Sequence, residues 1–163
     1  ARAYVAWLGR RTGEDYRLPS EAQWEYVART RTPVPAPGEP GFCRSVNGAD
    51  QATLRTYGGL TVAACADGHV HTAPVARAGT DRPTDLIGNV FEWTEDCWSN
   101  SHRGIPADGS PRIGADCSER VLRGGSWLTA PAELRPTFRN RFPRDYRSNT
   151  FGFRVVRARG EAG

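Results

Sequence analysis

Glycine and proline interrupt this chain so often that few long regular elements fit between them. The 163 residues hold 18 Gly and 12 Pro. Proline fixes φ and lacks an amide donor, while glycine leaves the backbone unrestrained. Pro33, Pro35, Pro37 and Pro40 fall within 30–41, which reads as a surface loop. Two helices fit near the start. Residues 2–11 bring Tyr4, Val5, Trp7 and Leu8 to near-helical spacing, with Gly13 as a stop. Ser20 and Gln23 have the S-x-x-Q form of a capping box, in which each side chain satisfies an orphan backbone donor. A helix over 21–29 is predicted to follow, burying Trp24 and Tyr26 or Val27. Residues 42–90 offer only short strand-like pieces, 60–64 and 69–75. A loop over 99–118, a strand at 120–123, an irregular 128–150 and a closing strand, Phe151–Val156, complete the chain.

A chain of this length is expected to form one domain with its own core, and no internal repeat is visible. Mean hydropathy is −0.59, and no apolar run approaches a membrane-spanning length. No charged-then-apolar leader opens the chain, and it has no Met, position 1 included. Those features are expected of a processed protein or a fragment.

Net charge is +4, and every basic residue is Arg. Residues 120–163 hold 10 Arg against Glu133, Asp145 and Glu161, whereas the first 119 hold 12 Arg against 15 acidic residues. No phosphate-binding motif accompanies that basic third, so nucleic acid is not an expected partner. Arginine's planar fork suits internal hydrogen bonds, and Arg139, Arg141, Arg147 and Arg154 are read as donors tying irregular backbone together. Four cysteines without a CxxC pair argue against a zinc ribbon. They favour two disulfides and hence a periplasmic or extracellular protein.

Several blocks then combine: Tyr16-Arg17-Leu18-Pro19-Ser20-Glu21-Ala22-Gln23-Trp24-Glu25-Tyr26, Thr72-Ala73-Pro74-Val75, and Asp85-Leu86-Ile87-Gly88-Asn89-Val90-Phe91-Glu92-Trp93. The last, Arg120-Val121-Leu122-Arg123-Gly124-Gly125-Ser126-Trp127, closes with Asn149-Thr150-Phe151-Gly152-Phe153-Arg154. In order and spacing they resemble the formylglycine-generating enzyme (sulfatase-modifying factor) family. The resemblance implies an α+β, C-type-lectin-like fold over 1–163, loop-rich, with two helices and a small antiparallel sheet. Family members carry a further stretch upstream, so an uncovered edge is expected on the C-terminal strand. Family enzymes that oxidise a sulfatase cysteine place a Cys three residues after the Gly-Gly-Ser serine and another five further on. Those positions are Thr129 and Leu134 here. Neither supplies the soft thiolate that copper(I) needs, so no copper and no formylglycine generation are expected.

The resemblance also implies calcium, as one or two ions. The first would use the Asp85 and Glu92 side chains with the Gly88 and Val90 carbonyls. The second would use the Asp50 and Asp67 side chains with the Gln51 and His69 carbonyls. Hard oxygen ligands in loops suit calcium. The residues also admit plainer readings: a turn at Asp67-Gly68 and a salt bridge from Glu92 to an Arg. His69 and His71 lack a third ligand at motif spacing and read as loop histidines. Cys43 and Cys65 bracket the Asp50 loop, while Cys97 and Cys117 bracket 99–116. Those two pairings are expected among the three ways to pair four cysteines. Trp93, Trp98 and Trp127 read as core aromatics, with a sugar-stacking platform as the alternative.

The function these features imply is a non-catalytic binding or assembly module of that family, an extracytoplasmic subunit with a protein partner. Segment 128–150 would recognise it, with Thr129, Arg135, Arg139, Arg144 and Tyr146 as contact residues. The Arg-rich face would also allow docking on an acidic protein or lipid surface, and a small-molecule or glycan ligand stays open. The alternative is an oxidoreductase of the same family with non-cysteine chemistry, of the siderophore-maturation or sulfoxide-synthase kind. A diversified ligand-binding protein is a third reading.

Overall fold

The structure is a computed structural model in which residues 1–31, 33–75, 83–115 and 117–158 are described. Helix α1 spans Arg2–Thr12 and stops where sequence places the stop. Gly13 adopts φ 74° and returns its N–H to the Gly9 carbonyl, the left-handed cap that glycine takes without strain. Helix α2 spans Glu21–Arg31 behind the expected capping box. The Gln23 N–H donates to Ser20 Oγ at 3.1 Å, and the Ser20 N–H donates to Gln23 Oε1 at 3.1 Å. The helix buries Trp24 and Ala28. Of the two alternatives for its second apolar contact, Val27 packs against the core while Tyr26 is exposed.

Two further helices were not predicted, α3 over Phe42–Ser45 and α4 over Gln51–Tyr57. The strand-like pieces 60–64 and 69–75 are not strands. They run as loop, held by single bonds such as the Ala63 N–H to the Ala49 carbonyl.

A four-stranded sheet has the order β4-β3-β2-β5. Here β2 is Phe91–Cys97, β3 Glu119–Arg123, β4 Arg139–Pro143 and β5 Phe151–Gly152. The β2–β3 and β3–β4 pairs are antiparallel, and the short β2–β5 pair is parallel. Segment 128–150 is therefore less irregular than its sequence suggests, since it contains β4. The closing strand divides. Its front is β5, and its end, β6 (Val156–Arg157), crosses to pair antiparallel with β1 (Tyr16–Arg17). Among the described strands β5 is paired on one side only.

The core gathers Trp24, Ala28, Phe42, Cys43, Val46, Ala63, Leu86, Ile87 and Leu134 between α2 and the loops over the sheet. The loops approach so closely that Gly88 (φ 82°) has no room for a side chain: a Cβ there would lie 2.2 Å from the Asn47 carbonyl oxygen. Backbone without a ladder needs other partners, and three arginines supply many. Arg123 serves the Pro136 and Phe138 carbonyls, Arg139 the Ser99 carbonyl, and Arg154 the Thr84 carbonyl. Arg141 reaches Glu119 and Asn100 nearer the surface. Arg147 does not fit that expectation: it is exposed, and its side chain has no hydrogen bond among the described residues.

Candidate functional site

Strand β3 delivers the chain into Gly124-Gly125-Ser126. Thr129 follows this turn directly, and Leu134 lies five residues beyond it. Thr129 is buried and bonded within the turn. Its Oγ1 accepts the Ser126 N–H at 2.9 Å, and its carbonyl accepts the Ala49 N–H at 3.0 Å. Leu134 is 2% exposed and belongs to the core. Two glycines make room for it: a Cβ on Gly48 would meet Leu134 Cδ1 at 2.2 Å, and one on Gly125 would meet Cδ2 at 2.6 Å. A hydroxyl satisfied by backbone and an isobutyl group in a glycine-lined socket thus occupy the two positions. All four cysteines are bonded elsewhere, Cys43 to Cys65 and Cys97 to Cys117, with none free.

The Asp85–Glu92 loop does not fit a calcium ion as arranged. Both oxygens of the buried Glu92 carboxylate are engaged. Oε2 accepts from Trp24 Nε1 at 2.7 Å and Arg154 Nε at 2.5 Å, while Oε1 accepts from Arg154 Nη2 at 2.5 Å. The same Nη2 donates to the Thr84 carbonyl at 3.0 Å and the Asp85 carbonyl at 3.4 Å. A guanidinium fork therefore supplies the positive charge at this point. Burial pushes the Glu92 carboxyl up, against the opposing pull of Arg154 and Trp24. Gly88 is committed to packing, its N–H on the Gly124 carbonyl. The salt-bridge reading of Glu92 describes this geometry.

The second loop differs. Asp50 is the N-cap of α4: its Oδ1 accepts from the Ala52 and Thr53 amides and its Oδ2 from the Asp67 amide. Gln51 lies inside α4, its amide on the Cys65 carbonyl. Asp67 accepts the His69 N–H at 2.7 Å and the Gly48 N–H at 3.3 Å. Burial first, and the neighbouring Asp50 carboxylate in addition, raise the Asp67 carboxyl above its ordinary value. Asn47, next to Gly48, buries an Oδ1 that has no partner among the described residues, while its Nδ2 donates to the His71 carbonyl. The orphaned Asn47 oxygen, and the Asp67 carboxylate that takes the amide of the next residue, are hard oxygen donors of the kind a calcium ion uses. Sequence reasoning passed over Asn47 because an isolated Asn carries no spacing signal.

His71 joins an aromatic group instead of a His pair. Its Nε2 lies 2.6 Å from the Tyr57 hydroxyl, and its ring stands edge-on to Trp127 at 4.9 Å. Among the described residues no group of three or more His, Cys, Asp or Glu is arranged to hold a metal ion. Trp127 is buried, Trp93 is half-buried against Phe151, and Trp98 lies under Arg139 and Arg141.

The five expected contact residues do not converge. Thr129 is internal. Arg139 grips both Glu21 carboxylate oxygens, at 2.5 and 2.9 Å. Arg135 turns back to the Ala132 carbonyl. Arg144 and Tyr146 are open as well, and they line a cleft of about 610 Å³ together with Arg2, Trp93, Arg120 and Arg147. No described helix is long and apolar enough to cross a membrane.

The Sulfatase-modifying factor enzyme 1-like domain model matches residues 1–159. The chain is 34% identical over 175 residues to the formylglycine-generating enzyme of Mycobacterium tuberculosis, covering 96% of this chain and 54% of that protein. It is 34% identical over 155 residues to the hercynine oxygenase of the same organism, covering 93% and 33%. Among solved structures, PvdO from Pseudomonas aeruginosa aligns with a TM-score of 0.78 at 31% identity, over 95% of this chain and 57% of that one. The chain thus spans about half the length, or less, of these relatives.

Proposed function

The chain belongs to the Sulfatase-modifying factor enzyme 1-like domain family, and from that premise we propose that it acts as a binding or assembly module, not as a formylglycine-generating enzyme. The observation that carries this reading is Leu134 in a socket formed by Gly48 and Gly125, with Thr129 bonded into the turn beside it. Neither position offers a ligand for a soft metal. The two disulfides support an extracytoplasmic location. The test is turnover: the protein, copper(I), oxygen and a sulfatase-derived cysteine peptide are incubated and the peptide is weighed by mass spectrometry. An unchanged mass is expected; conversion to the aldehyde would overturn the reading.

A second reading rests on the similarity to hercynine oxygenase. In it the chain is one part of an oxidoreductase whose metal ligands come largely from outside these residues. Stoichiometric iron retained on the purified protein, together with substrate turnover, would favour it over the module.

Calcium at the Asn47–Asp67 loop belongs to the proposal. Asn47 Oδ1 and the Asp67 carboxylate would hold the ion, which would join α4 to the loop beyond Cys65. Without a cation, Asp67 binds its proton more tightly in the folded protein than in the unfolded chain. Its stabilising contribution is then present below the ordinary carboxylate range and is lost as pH rises through the raised value. At neutral pH, calcium is expected to raise the unfolding midpoint of the protein. Asp67→Asn is expected to abolish that rise while leaving the metal-free protein as stable as before, or more so. Identical melting curves in calcium and in chelator would count against the site.

A further inference from the structure

The two disulfides differ in what surrounds their sulfurs. Cys97 is 4% exposed, its Sγ accepts the Gly114 N–H at 3.3 Å, and its partner Cys117 is half-buried. Cys43 is buried too, at 7% exposed, in the same apolar cluster as Phe42 and Val46. Cys65, bonded to it, is exposed. Both ends of the Cys43–Cys65 bond line a surface cavity of about 370 Å³, together with residues 38–41, Arg44, Ala64 and Ala66. A cavity of that size admits a small molecule.

The loop that carries Cys65 has other ties besides sulfur. The Ala63 N–H donates to the Ala49 carbonyl at 2.9 Å, the Gln51 N–H to the Cys65 carbonyl at 3.2 Å, and the Asp67 N–H to Asp50 Oδ2 at 2.7 Å. These bonds hold 63–67 to the residues that open α4, and none of them needs the disulfide. Cys43 sits on α3 in the core, where a free thiol behaves as a small apolar group. The bond can therefore open and re-form with both cysteines close to where they stand. Exchange runs in line, the incoming thiolate approaching the attacked sulfur opposite the one that leaves. Attack on Cys65 comes from solvent, whereas attack on Cys43 would have to come through the core. We propose that Cys43–Cys65 is a reversible exchange site that captures a low-molecular-weight thiol on Cys65, while Cys97–Cys117 is a closed structural cross-link. The incoming thiolate bonds to Cys65 Sγ as the bond from Cys65 Sγ to Cys43 Sγ breaks. The incoming sulfur is oxidised, and the Cys43 sulfur is reduced and takes a proton from solvent. In reverse, the Cys43 thiolate attacks Cys65 Sγ, expels the small thiol and restores the original bond. The site stands whether or not the domain has a protein partner.

Reduced glutathione is the probe. The full chain is incubated with it in the absence of denaturant, alkylated with N-ethylmaleimide at timed intervals, digested and mapped by mass spectrometry. Glutathione is expected on Cys65 and maleimide on Cys43. Cys97–Cys117 should stay closed, opening roughly tenfold more slowly or worse, because exchange follows access to the sulfur. Tryptophan fluorescence should remain that of the folded protein throughout. Removing unbound glutathione before alkylation should let Cys43 displace the captured thiol and close the bond again. Two variants test the choice of sulfur. The thiol left at Cys65 in Cys43→Ala should react with glutathione disulfide roughly tenfold faster or more than the thiol left at Cys43 in Cys65→Ala. Glutathione on Cys43, equal opening rates for the two disulfides, opening in urea only, or equal reactivity of the two variant thiols would each overturn the proposal.

Discussion

Arg123→Leu is expected to lower the unfolding free energy by about 3–5 kcal/mol, the usual loss when one partner of a buried ion pair is removed. Arg123 is 0% exposed and joins two carbonyls and two carboxylates. Its Nη1 donates to the Phe138 carbonyl at 2.6 Å, and its Nη2 donates to the Pro136 carbonyl at 2.7 Å and to Glu25 at 2.5 Å. Glu21 lies 3.7 Å away, and the Trp24 ring lies beneath the guanidinium at 5.1 Å. Leucine would leave two carbonyls without donors and Glu21 with Arg139 as its remaining cation. Urea unfolding of wild type, Arg123→Leu and Arg29→Leu separates this effect from a general loss of charge. Arg29 also pairs with Glu25 but at the surface, so its replacement should cost under about 1 kcal/mol. Similar midpoints for the two variants would show that the buried network is not what holds 136–138 to the sheet.

Reduction of both disulfides should have the largest effect on this protein. The cross-links close loops of 22 and 20 residues, each worth about 3 kcal/mol in the loop-closure picture. Together they contribute about 6 kcal/mol, comparable to the whole stability of many domains. Among the described residues no strand lies within either loop. Cys43–Cys65 ties α3 to a strandless loop, and Cys97–Cys117 ties the end of β2 to the residues before β3. Near-ultraviolet circular dichroism in urea, with and without a phosphine reductant, is expected to show the reduced chain unfolding at much lower denaturant, or before any is added. Coincident curves would mean that the loops are secured by packing alone.

The legible parts of the fold were those where local chemistry leaves one answer. Ser20 with Gln23, Gly13 after α1 and the two cysteine brackets are complete within a few residues or one loop, and each appears as read. Strand β4 was hidden because its sequence, Arg-Asn-Arg-Phe-Pro, shows no apolar alternation. It is a strand because β3 offers a five-residue ladder to pair with. Strand β2 was obscured by Glu92, Glu95 and Asp96, acids that are tolerated there because partners arrive from far along the chain: Arg154 for Glu92, and the Glu21 and Arg112 amides for Asp96.

The candidate site was read less well, for a related reason. A carboxylate ahead of a short polar stretch suits a helix cap as well as a cation, and at Asp50 the cap is what forms. At Glu92 an arginine separated by more than sixty residues supplies the charge. The open cleft is assembled from α1, β2, β3 and the turn after β4, and no one segment displays it.

This domain keeps its family's scaffold, with Thr129 and Leu134 where the resemblance to the family's oxidising enzymes implies a thiol pair. Copper(I) titration of the non-reduced protein, against a chromogenic copper(I) chelator and with iodoacetamide labelling in parallel, tests this most directly. The chelator is expected to keep all the copper, and no cysteine is expected to be labelled. One copper(I) per chain, held by two of its sulfurs, would contradict it.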